Sequence, residues 1–247
     1  MAPARGEELV GSAFLWGAVA ASSLVIGMLL GLARAWPERL VGLVLAFGAG
    51  ALISAVSFEL FEEGIAVGGA AAVAIGLALG ALVYFTLSLL IDHISPGSQD
   101  EETSGGTALA LGAFLDGIPE QLVLGIGIAA GEGVSISLLV AIFVSNLPEA
   151  IGSATDMKEE GMPPRKIRLL WYSVAAVCAL STPLGYVLAD GAGGHFKAGV
   201  NGFAAGALLV MLVDSMIPEA TSKSGRVAGL ATTLGFAVAA GLSTATA

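Results

Sequence analysis

Charge is what this sequence has least of. Only 12% of its 247 residues are Asp, Glu, Lys or Arg, and 56% are apolar. A soluble domain carries about a quarter charged residues. With half the usual charge there is too little polar surface to face water, and lipid is the solvent that remains. The mean hydropathy of +0.89 agrees. Cysteine is nearly absent too. The single Cys178 excludes an internal disulfide and any CxxC metal site, and within its apolar run it reads as a small buried residue. There are only two histidines. His93 opens a polar segment and reads as interfacial, and His195 sits in a glycine-rich break. No GxxxxGK[ST] string occurs, which argues against direct ATP drive. The short-period polar/apolar alternation of barrel strands is also missing, because the apolar runs are continuous.

What is present divides into those runs. They fall at about 9–33, 40–61, 66–91, 107–130, 134–156, 168–189, 198–219 and 227–246. A span needs about 20 apolar residues, so residues 1–247 read as a single transmembrane domain, an all-α integral membrane protein with eight spans. Glycine fits close helix contacts in such a bundle, and there are 35. The first run follows MAPARGEELV and reads as a retained helix, not a cleaved signal. Residues 92–106 form a polar loop whose composition, SPGSQDEETSGG, predicts disorder.

Basic residues give an orientation. Arg34, Arg39, Lys158, Arg165, Lys166, Arg168, Lys223 and Arg226 fall in breaks 1–2, 5–6 and 7–8, and only Arg5 and Lys197 fall on the other side. Cytoplasmic loops collect Lys and Arg. Those three breaks, and the 92–106 loop by alternation, are expected to be placed accordingly: the basic breaks on the cytoplasmic side, both termini outside, and the chain multi-pass in the plasma membrane. The net charge of −10 argues against a nucleic-acid partner and suits attraction of cations. Glu7, Glu8, Glu62, Glu63, Glu132 and Asp190 then lie near the outer surface. Glu59 and Glu62 at the end of the second run read as an entry path.

The chemistry sits in three short strings. The fourth run holds Asp116-Gly117-Ile118-Pro119-Glu120, the fifth Ser145-Asn146-Leu147-Pro148-Glu149, and the seventh Asp214-Ser215-Met216-Ile217-Pro218-Glu219. The first two strings lie near the bilayer middle, where one acid costs on the order of 2.5–3.5 kcal/mol. Three would cost roughly 7–10 kcal/mol, comparable with a whole protein's stability. The fourth and fifth runs contain no Lys or Arg. A bound cation, or protons when it leaves, supplies the compensation. Asp116 and Glu120 are i,i+4 and Asn146 and Glu149 are i,i+3, so each pair shares a helix face. Two such faces together make an oxygen cage suited to a divalent cation. Pro119 and Pro148 are expected to bend their helices and free the carbonyls of Leu115 and Val144 beside the carboxylates. Asp214 and Glu219 read as an exit path.

These strings, with FGAGALISAVSFELFEEG in the second run and AAGALLVMLVDSMIPEA in the seventh, resemble the ZIP (Zrt/Irt-like) family of metal transporters, in its GufA-like prokaryotic branch. The resemblance implies an inverted repeat, helices 1–3 against 6–8 around helices 4–5. It implies a central metal site of Asp116, Glu120, Asn146 and Glu149, with Ser145, Gln121, Glu59, Glu62, Asp214 and Glu219 as secondary pathway residues. It further implies alternating access and is compatible with a homodimer.

Departures from the family strings are visible. Asp116 stands for the family's histidine, Gly117 for its asparagine and Gln121 for its glycine. Ser145 opens the fifth string, and Thr182-Pro183 stands where bacterial members can carry Glu-Pro. The resemblance implies Zn²⁺ as the cargo, with Fe²⁺ or Mn²⁺ close behind, because the site has no imidazole whereas zinc favours nitrogen and sulfur. No bound cofactor is expected. Two other readings use the same acids: a proton- or sodium-coupled carrier of another solute, and a membrane enzyme with Asp116 and Glu120 as acid and base. The enzyme is disfavoured, since no nucleophile–histidine pair accompanies them.

Overall fold

The computed structural model of the chain describes residues 3–94, 105–130 and 134–246. The side chains of 3–7, 91–94, 105–113, 115, 116, 130 and 246 are outside the description. Of the expected polar loop at 92–106, residues 92–94 and 105–106 are helical and 95–104 lie outside the described residues, as do Glu132 and the side chains of Glu7, His93 and Asp116.

Among the described residues the chain is helical and has no strands. The helical segments are α1 (Pro3–Ala33), α2 (Glu38–Gly68), α3 (Ala70–Ile94), α4 (Gly105–Ala130), α5 (Ile136–Glu159), α6 (Pro164–Ala189), α7 (194–224) and α8 (Ala228–Thr246). Six stretches are long and apolar enough to cross a membrane. One of them is a 52-residue run, Gly194–Ala245, and a shorter apolar helix covers Gly117–Ala129.

Local chemistry sets several boundaries. The Ser135 hydroxyl accepts from the Leu138 amide at 3.1 Å and caps α5. Pro164 opens α6, where a missing N–H costs nothing. Gly69 at φ 89° separates α2 from α3, and Gly225 at φ 65° ends α7. α5 runs three residues past its expected end, which puts Lys158 in its last turn. Its Nζ donates to the Leu32 carbonyl at the end of α1, 2.8 Å away.

Surface and interior are inverted relative to a soluble protein. Leu230, Leu169 and Leu82 are exposed at 73%, 70% and 61%, while Glu120, Gln121, Ser153 and Thr182 are fully buried. Apolar side chains outside and polar ones inside are what a lipid solvent requires. Six or seven apolar helices arranged this way define a multi-pass helical membrane protein.

The main pairings are α3 with α7, α2 with α7 and α8, α4 with α6, α1 with α5 and α6, and α5 with α2 and α4. Glycines set how close the backbones come. A Cβ on Gly80 of α3 would fall 1.8 Å from the Phe203 carbonyl oxygen of α7, and one on Gly50 of α2 would fall 1.8 Å from that of Thr232 of α8. Neither contact tolerates a side chain.

Candidate metal site

α4 and α5 meet through the residues that carry the Pro-Glu strings. Glu120 is 0% exposed and Asn146 1%. The Asn146 Nδ2 donates to Glu120 Oε2 at 3.3 Å. A carboxylate and a carboxamide from facing helices therefore share one buried spot. Glu149 lies three residues along α5 from Asn146 and is half-buried. Asp116 sits one turn before Glu120 on α4. Among the described residues no three His, Cys, Asp or Glu side chains gather. Ser145, which opens the α5 string, turns elsewhere: its hydroxyl donates to the Ile142 carbonyl at 3.0 Å. A Cβ on Gly48 of α2 would lie 2.7 Å from the Ser145 Cα, so α2 and α5 touch there.

Gln121 is a tie among three helices. It donates from Nε2 to the Gly17 carbonyl of α1 at 3.5 Å, and its Oε1 accepts from the Thr182 hydroxyl of α6. Both ends of its amide are occupied in a fully buried setting. A buried polar network of this kind stabilises the fold when its members are paired.

Pro119 and Pro148 lie inside helices that continue on both sides of them. The departures from α geometry fall instead in α2 and α7, as wide π turns at Val56–Glu62 and Leu212–Met216. Such turns recur at functional positions. In α7 the cause is legible: Pro218 offers no N–H to the Asp214 carbonyl four residues back. Nothing in Val56–Glu62 supplies a similar reason.

Both wide turns carry acids from the sequence analysis. Glu59 of α2 is half-buried and accepts from the Ser137 hydroxyl in the first turn of α5. Glu62 is exposed. Asp214 of α7 is also exposed, and it accepts from the Ser88 hydroxyl of α3 at 3.1 Å. It thus faces α3, on the side of α7 where Val213 is 69% exposed. Glu219 is half-buried and paired with Lys223, Nζ to Oε1, at 2.7 Å. The sequence reading took Lys223 for a loop residue. It lies in α7, and the i,i+4 spacing from Glu219 was the available signal. His195 lies in the first turn of α7, its Nδ1 2.7 Å from the Gly68 carbonyl oxygen, and ties α7 to the end of α2.

No family model matches the chain. It is similar to a protein of Arabidopsis thaliana named "Putative zinc transporter", 29% identical over 189 residues. The match covers 72% of this chain but only 30% of that protein.

Proposed function

We propose that this chain is a divalent metal cation transporter of the ZIP type, GufA-like branch, which moves zinc ahead of iron or manganese across the plasma membrane by alternating access. The observation that carries the reading is the buried contact between Glu120 and Asn146, which joins the two Pro-Glu helices. Asp116, Glu120, Asn146 and Glu149 then form the cation site. Neither α4 nor α5 supplies a basic neighbour except Lys158, and that side chain is held by α1. A carboxylate kept in that setting is best balanced by a mobile cation. The name of the similar Arabidopsis protein supports metal as the cargo.

The proposal includes eight spans. A 52-residue helix would be about 78 Å long at 1.5 Å per residue, more than twice the bilayer core. Gly194–Ala245 is therefore two spans, divided at Gly225, and Gly105–Ala130 is one. The inverted repeat draws support from the pairings. Exchanging α1 with α6, α2 with α7, α3 with α8 and α4 with α5 turns α3–α7 into α8–α2 and α4–α6 into α5–α1, while α5–α2 has only a weaker counterpart in α4–α7. The distribution of Lys and Arg supports termini on the outside.

The test is Zn²⁺ uptake by the full chain in reconstituted vesicles. Wild-type protein accumulates Zn²⁺, and the Glu120→Ala, Glu149→Ala double variant does not; equal rates reject the assignment. The second reading is a proton- or sodium-coupled carrier of another solute that uses the same buried acids. Sodium- or proton-dependent flux without divalent metal binding would establish it.

A further inference from the structure

Lys223 sits in a groove shaped for it. Its stem lies on Gly42 of α2, where an added Cβ would be 2.6 Å from the Lys223 Cβ. Its ammonium lies against Gly152 of α5, where an added Cβ would be 3.0 Å from Nζ and 3.8 Å from the Glu219 carboxylate oxygen. Lys223 and Glu219 are each 19% exposed in their side chains. Three helices, α2, α5 and α7, therefore enclose a charged pair that an ordinary surface i,i+4 pair would leave in water.

The groove is at the end of a polar track. Along α5, Asn146, Glu149, Ser153, Asp156 and Glu160 recur every three or four residues, which is one helix face. Gly152 is six residues beyond Asn146, about 9 Å along the axis. Asp156, one turn further, is close enough to interact electrostatically with both Lys223 and Glu219. The ammonium thus occupies the point where a cation following this face from Asn146 would meet its last carboxylates.

We propose that Lys223 is a tethered cation that closes the C-terminal end of this track. Its ammonium holds Glu219 and Asp156 while no metal is passing, and it swings off them when a divalent ion arrives. A lysine suits this task because its charge is compact and its stem flexible. The inference rests on the transport reading and names a gating residue for the same pathway.

The experiment uses the full chain in vesicles, with Zn²⁺ uptake and thiol labelling of a Ser153→Cys variant as readouts. Ser153 is fully buried, and so is Cys178, so background labelling is low. Lys223→Met is expected to raise the labelling rate of Ser153→Cys about fivefold, the population shift from losing one half-buried ion pair. Lys223→Arg keeps the charge and is expected to label like the parent. Gly152→Ala removes no charge and crowds only the ammonium, so about a twofold rise is expected there. Unchanged labelling in both Lys223→Met and Gly152→Ala, with wild-type uptake intact, overturns the gate alone. Wild-type vesicles that take up neither Zn²⁺ nor Mn²⁺ overturn the transport reading itself.

Discussion

The two halves of α5 are built for different tasks. Its N-terminal half presents Leu138, Ala141 and Ile142, all buried in a core with Leu52, Val56, Leu60 and Leu208 of α2 and α7. Its C-terminal half replaces these with Asn146, Glu149, Ser153 and Asp156 on one face. A cation can be passed along oxygens but not through packed aliphatic groups, whose burial is stabilising. The N-terminal half packs this face against apolar residues of α2 and α7, whereas the C-terminal half packs Ala150, Ala154 and Met157 against α1 and α6 and has the Lys223–Glu219 pair beside Gly152. The lesson is that the character of one helix face changes at a single turn, here Ser145–Asn146; on the proposed function the two parts would serve as lid and lined path.

The largest expected effect comes from breaking the polar half at its deepest point. Glu120→Ala with Glu149→Ala should lower the Zn²⁺ uptake rate about 100-fold, since each change removes a charged ligand worth several-fold or more. In the N-terminal half, Ile142→Ala should cost about 2–4 kcal/mol by leaving a cavity. Ser153→Ala in the polar half should cost under about 1 kcal/mol. Thermal unfolding in detergent compares the two, and equal losses would erase the distinction between the halves.

A second pair sharpens the packing contrast within α4. A Cβ on Gly125 would lie 1.9 Å from the Thr182 carbonyl oxygen, while Gly127 has nothing within 4 Å. Gly125→Ala should destabilise by about 3 kcal/mol, and Gly127→Ala should stabilise by about 0.5–1 kcal/mol through helix propensity. Gln121→Ala is expected to lose less than Gly125→Ala, about 1–2 kcal/mol from its ties to Gly17 and Thr182. Melting temperatures of these variants, taken together, check the ranking.

Much of this arrangement is legible in the chain. The spacing of Asn146 and Glu149, and of Asp116 and Glu120, announces shared faces, and the structure adds a hydrogen bond between helices, from Asn146 to Glu120. Continuous apolar runs mark the helices. The rest depends on three-dimensional neighbours that spacing cannot supply. Lys223 sits in the polar string TSKSGR, which reads as a loop until Gly42 and Gly152 are brought beside it. Gln121 resembles a ligand until Thr182, 61 residues away, occupies its oxygen. Asp214 reads as lining an exit, yet the wide turn at Leu212–Met216 leaves it facing Ser88 of α3. Prolines in α4 and α5 suggest broken helices there, whereas the wide turns occur in α2 and α7.

The central claim is that Glu120, Asn146 and Glu149 hold a divalent cation between α4 and α5. Calorimetric titration of Zn²⁺ into the purified chain, with and without Glu120→Ala and Glu149→Ala, tests it most directly. Saturable micromolar binding that disappears in the double variant is the predicted result. The same heat and stoichiometry in both proteins would contradict it.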